Sequence, residues 1–203
     1  MANVDRPNGL YPVGTQGAGP WNGQVNAYYT SDSAAVFIGD LVKLTGTSAA
    51  DGTRVNGQDV SGLASVTVAA AGDAANLVGV AVGFSPLQTN QNLGSLHKAA
   101  SESRIVYVSD DPRTIYEIQE DSAGNNIDND MVGLNANIVA TAGSTTTDIS
   151  AHELDSSDTA TDTGGQLRIL GLARRVDNAI GANARWLVMI NFGESAWTLT
   201  ADI

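Results

Sequence analysis

Two histidines, His97 and His152, carry the side chains whose ordinary titration falls near neutrality, so acid–base catalysis would be sought there first. His152-Glu153 begins a His-Glu-x-x-His zinc pattern, but the fifth position is Ser156 and the second imidazole is missing. His97 stands beside Lys98 after Gly94-Ser95, in a segment that reads as an exposed loop and a solvated side chain. Gly193-Glu194-Ser195-Ala196-Trp197 copies the start of a Gly-x-Ser-x-Gly nucleophile elbow, yet puts Trp where strand and helix need a small residue. Gly17-Ala18-Gly19 continues into Pro20-Trp21-Asn22, which completes no dinucleotide fingerprint. The only lysines, Lys43 and Lys98, sit in no phosphate loop. Cysteine is absent, which excludes disulfide scaffolds, thiolate metal sites and cysteine nucleophiles.

Carboxylates are the remaining chemical resource. Glu120-Asp121 with Asp128-Asn129-Asp130, and Asp155 with Asp158 and Asp162, are the dense groups, and oxygen donors at such density suit calcium. Counted as an EF-hand from Asn126, Asp128 and Asp130 fall at positions 3 and 5, but Met131 stands where glycine is required. Soluble acidic turns account for the same pattern. A glycosidase would need paired carboxylates across an aromatic-lined cleft, and aromatic residues are 5% of this chain. The expectation is a protein that is not an enzyme, with no cofactor and no metal.

The elements that would hold any site are strands. Gly, Ala, Ser, Thr and Asn are abundant and charged residues only 16% of 203, so polarity comes from small neutral side chains. No long stretch repeats apolar residues at helical spacing. Runs of four to eight β-branched or aliphatic residues recur between Gly, Asn, Asp and Pro instead. Expected strands are 24–30, 36–45 with a bulge or turn at Gly39-Asp40, 65–70, 77–84, 104–109, 114–120, 166–174 and 184–192, with 197–200 as a closing edge. Residues 48–62 form a loop with hairpin dipeptides Asp51-Gly52 and Asn56-Gly57. The fold class is therefore mainly β, a barrel or sandwich of ten to twelve short antiparallel strands. Residues 24–203 form one domain, with a possible excursion loop at 121–165 that ends in the polar tract 155–165.

Residues 1–23 hold Pro7, Pro12, Pro20 and no periodicity, which predicts an extended arm. Leu10, Tyr11 and Trp21 lie on it. Tyr28 and Tyr29 follow as strand neighbours that must face opposite ways, so one looks out. These five are the candidate interface residues. The formal charge is −12, from 22 Asp+Glu against 10 Lys+Arg, which disfavours nucleic acid and anionic membrane as ligands.

Ala2-Asn3-Val4-Asp5-Arg6-Pro7-Asn8-Gly9-Leu10, Trp21-Asn22-Gly23-Gln24-Val25-Asn26, Gly39-Asp40-Leu41-Val42-Lys43-Leu44, and Ala70-Ala71-Gly72-Asp73 with Leu77-Val78-Gly79-Val80-Ala81-Val82-Gly83-Phe84 form a set. It resembles the head decoration, or capsid cement, proteins of tailed bacteriophages over the first eighty-four residues. The resemblance implies a β-barrel or sandwich on the outer face of an icosahedral shell, commonly a trimer, clamping neighbouring capsomers of the major capsid protein. Such a protein is made in the host cytoplasm and resides on the virion exterior.

An acidic chain suits that outer face, and an arm of about 22 residues could reach roughly 70 Å to a neighbour. On that reading, removing Met1–Trp21 leaves the domain folded and weakens attachment. A tail or fibre component, a calcium-binding β-sandwich adhesin and a hydrolase with a carboxylate site are the alternatives.

Overall fold

The computed structural model describes residues 3–17, 19–73, 75–86, 96–124, 126–160 and 164–191. These residues are mainly β, with fourteen strands and a single 3-10 turn, Asn129–Met131. The expected strand 197–200 and the serine pattern at 193–197 lie outside the described residues.

Five strands close into a barrel: β3 (Asn26–Thr30), β4 (Leu41–Ser48), β7 (Ala64–Val68), β8 (Leu77–Phe84) and β9 (Arg104–Ser109), in the order β3-β7-β4-β8-β9. Every barrel pairing is antiparallel except β3 with β7, which meet in parallel at Tyr29 and Ser65. Seven strands form an antiparallel sheet beside it. They are β1 (Tyr11–Thr15), β2 (Gly19–Pro20), β10 (Thr114–Gln119), β11 (Asn135–Val139), β12 (Glu153–Ala160), β13 (Leu167–Leu172) and β14 (Arg185–Ile190). Their order is β12-β11-β13-β14-β10-β1-β2. A small hairpin, β5 (Arg54–Val55) and β6 (Gln58–Asp59), turns at Asn56-Gly57 as its dipeptide predicts.

β8 explains why barrel and sheet stay together. Its first five residues are all buried because one face fills the barrel and the other faces the sheet. Val78 and Ala81 join Val42, Val66, Val106 and Val108 inside the barrel. Leu77 and Val80 join Leu41 and Ala69 against Tyr116, Ile118, Ile169, Trp186 and Val188 of the sheet. Gly79 is the point where β9 comes closest, since a Cβ there would overlap the Ser109 carbonyl and stand 2.8 Å from Val108.

Several expectations change. The expected strand 36–45 begins only at Leu41, because Gly39-Asp40 turns the chain: Asp40 Oδ2 accepts the Phe37 N–H at 2.8 Å. The tract 155–165 is not simply a loop, since residues 153–160 form β12, and the supposed excursion 121–165 supplies both β11 and β12. Ser and Asp have weak strand preference, but pairing with β11 and the Asp121 carboxylate, which accepts the N–H and hydroxyl of buried Ser156, outweighs it.

Residues 3–23, expected as an arm, take specific places. Tyr11–Thr15 pairs with β10, and Leu10 is 1% exposed in the main core. Before that, Asn8–Leu10 crosses the Gly39 turn at backbone contact: the Leu10 N–H donates to the Gly39 carbonyl at 2.9 Å. A Cβ on Gly9 (φ +68) would overlap the Gly39 carbonyl and lie 2.6 Å from Ser150 Cβ; one on Gly39 (φ +98) would lie 2.5 Å from the Asn8 carbonyl. Replacing Gly9 by Ala should cost about 3 kcal/mol or more in urea denaturation. The same change at Gly57 (φ +81), where a Cβ meets nothing, should cost only about 1 kcal/mol.

Candidate functional site

The five residues expected at an interface do not share one surface. Leu10 is core, which corrects its assignment: its side chain faces the sheet–barrel interior and has no surface to offer. Tyr28 points into the barrel and its hydroxyl donates to Asp110 Oδ2 at 2.7 Å, with Asn26 on the same carboxylate. Burial and that carboxylate push its phenol well above the usual range. Tyr29 faces the other way, as alternation requires, but lies under the β5–β6 hairpin with Leu63, Val55 and Ile105. Trp21 is half-buried beside Arg113 and Thr114. Tyr11 alone is broadly open, at 60% exposed, on the outer face of the sheet opposite Glu117.

Around Tyr11 the structure assembles a patch from both ends of the described chain. The segment from Asn3 to Asn8 is strapped onto β10, where Gln119 Oε1 accepts the Arg6 N–H at 3.0 Å, and onto β14 and the loop before it. Asn3 Nδ2 donates to the carbonyls of Ala179 and Ala182, and its Oδ1 accepts the Ala179 N–H. Arg185 donates to Asn8 Oδ1 and the Arg6 carbonyl, both at 2.8 Å. Arg6, Arg175 and Arg185 line a hollow of about 280 Å³ together with Val4 and Asp177. Arg175 clasps Asp177 and reaches Glu117 at 2.7 Å, opposite Tyr11. Exposed apolar side chains lie on the same segments: Val4, at 63%, lines the hollow, Val176, at 98%, stands between Arg175 and Asp177, and Ile180, at 44%, follows in the same loop. Arg with exposed aromatic and aliphatic neighbours is the composition of a binding surface, and it gathers three of eight arginines of an acidic chain.

His97 does not behave as its sequence context implies, and both histidines are buried. His97 is 7% exposed, stacks on Phe37 at 4.8 Å and pairs with Asp148, which corrects the solvated reading. Neighbouring Lys98 is wholly buried, with its ammonium on the carbonyls of Asp32 and Ala34 and on Asp32 Oδ1. His152 is 2% exposed. Its Nδ1 accepts the Leu41 N–H at 3.3 Å, so the proton sits on Nε2, 3.5 Å from Asp40 Oδ1. With one nitrogen on backbone and the other toward Asp40, no ring position is left to activate a hydroxyl, and the pair is not arranged as a hydrolytic triad. Burial pushes the Asp40 carboxyl up, against His152, the Ser150 hydroxyl and the Phe37 N–H, and pushes His152 down. The pair lines a hollow of about 310 Å³ whose other walls are Phe37, Val68, Thr141 and six alanines, Ala34, Ala35, Ala69, Ala70, Ala140 and Ala142.

The acidic groups are spent locally. Asp128 caps the 3-10 turn by accepting the Asp130 N–H, Asp155 accepts from Ser157, and Asp158 accepts from Asn137. Among the described residues no three His, Asp or Glu converge as a metal site; Asp162 lies outside them.

No protein-family model, no curated protein and no solved structure matches this chain.

Glu153, half-buried beneath the strap, is pushed up to about 7 by desolvation, then by Asp5 and Asp121, while Gln119 holds it down. Its ordinary value of 4.5 is lower, so between those pH values the folded state holds a proton that the unfolded state has lost. Stability contributed by this group is complete below about pH 4.5 and is lost as pH rises through about 7. Glu153→Gln should flatten that slope and raise stability near pH 8 by on the order of 1–2 kcal/mol, read from urea midpoints at both ends of the window.

Proposed function

We propose that this chain is a structural virion protein that decorates and stabilises the outer face of a tailed-phage capsid, clamping neighbouring capsomers. The observation that carries the proposal is the arginine hollow lined by Val4, on segments that also expose Val176 and Ile180, with exposed Tyr11 opposite Glu117. A folded β-scaffold presents an apolar, arginine-bearing patch on a chain of net charge −12, which is suited to protein partners and disfavoured on a DNA-lined wall. The partner in this reading is the major capsid protein, and the working unit is a homo-oligomer, a trimer as in the proteins the sequence resembles. Several weak contacts per oligomer would then add through effective concentration. The site is the capsid exterior of a virion assembled in the host cytoplasm.

The strap moves the attachment surface from a free arm to the folded patch. Cutting away Met1–Trp21 would remove Leu10 from the core and β1 from the sheet, so this truncation should lose the cooperative melt rather than attachment alone. Val176→Asp, at a side chain 98% exposed, should keep the wild-type melting temperature within about 1–2 °C while lowering retention on capsids in a sedimentation assay. Quantitative mass spectrometry of purified virions of the encoding phage provides the decisive count. A copy number comparable with the major capsid protein is expected, whereas tens of copies or fewer would favour a tail or fibre part.

A further inference from the structure

The alanine-walled hollow is built differently from the surface around it. It lies where barrel and sheet meet, open at Ala140 and closed below by Ala69, Asp40 and His152. Methyl groups dominate its walls, so an occupant must be aliphatic and narrow. On its inner wall Asp40 is 2% exposed, and one of its two oxygens is engaged: Oδ2 takes the Phe37 N–H at 2.8 Å. Oδ1 has no partner within hydrogen-bond distance: the His152 Nε2–H faces it at 3.5 Å, and the Ser150 hydroxyl is the other side-chain donor set against this carboxylate. A buried acceptor left open beside an apolar hollow calls for a donor brought by a ligand, and a cationic donor gains most against a carboxylate.

We infer that this hollow is a binding site for a primary aliphatic amine, with the alkyl chain on the alanine methyls and the ammonium on Asp40 Oδ1. His152 is a positioning residue: Leu41 fixes its tautomer, and its Nε2–H faces the same oxygen. The chemistry is shared by a free alkylamine and by the lysine side chain of a docked protein. The site does not depend on the capsid reading.

The test titrates the full chain, with alanine methyl groups observed by NMR, using n-butylammonium chloride, n-butanol and Nα-acetyl-lysine methylamide as separate probes. Saturable butylammonium shifts at the hollow's methyls are expected, with butanol at least about tenfold weaker. Asp40→Asn should weaken butylammonium binding by about tenfold or more. Ala140→Leu, at an exposed position on the rim, should block it without entering the core and so serves if Asp40→Asn does not fold. Equal response to acetyl-lysine methylamide would identify a lysine side chain as the source, and response to butylammonium alone a free amine. Butanol binding as tightly as butylammonium, binding that survives in Asp40→Asn, or no saturation up to about 100 mM overturns the inference.

Discussion

Where Asn8–Leu10 passes over the Gly39 turn, two backbones approach closer than any side chain would permit, and both glycines adopt left-handed conformations that favour them. The contact sets three things at once. It delivers Leu10 into the main core, turns the chain so that Asp40 follows as a buried acid, and starts β4 at Leu41, whose N–H fixes His152. The N-terminal strap, the barrel and the sheet are thereby held at one point. That point also borders the alanine-walled hollow, so a tightly constrained stretch of backbone is adjacent to a buried acid.

From there the architecture follows from how little charge the sequence carries. With so few long charged side chains, buried polar groups are satisfied by short networks: Asp110 takes Tyr28 and Asn26, Lys98 closes on the Asp32–Ala34 carbonyls, and Arg104 donates to the carbonyls of Ser85 and His97. Glu120, wholly buried, accepts the Ile127 N–H, and burial raises its carboxyl above the usual range. These bonds tie loops to the strands beside them, as Asp110 to β3 and Ser85 to β9. The open edge of β12 is handled in the same way, because Asp121 occupies the Ser156 N–H and the Asp121 N–H donates to the Leu154 carbonyl.

The proposed function rests on the distribution of side chains over this scaffold. In the proposed reading the net negative charge disfavours contact with phosphate, and the arginine patch is where a protein partner would gain contact. Strapping residues 3–8 onto β10 and β14 makes that patch a folded feature, so its affinity does not have to offset the ordering of a loose segment.

The strands of highest local consistency, Leu77–Phe84 and Arg104–Ser109, were legible residue for residue, as was the Asn56-Gly57 hairpin, because β-branched runs and turn dipeptides act over a few residues. The alternation of Tyr28 and Tyr29 was legible too, though not that a hairpin covers the outward ring. β12 was not, since serine and aspartate enter a strand only when a neighbour supplies the pairing. The burial of His97 and Lys98 depends on Asp148 and Asp32, and the arginine hollow on Arg6 meeting Arg175 and Arg185. By itself the sequence determined a mainly β chain, its turn points and its charge. Only the tertiary structure decided which of its polar residues are buried and which apolar ones stay exposed, because those outcomes rest on contacts between residues too distant in the chain for any local pattern to record.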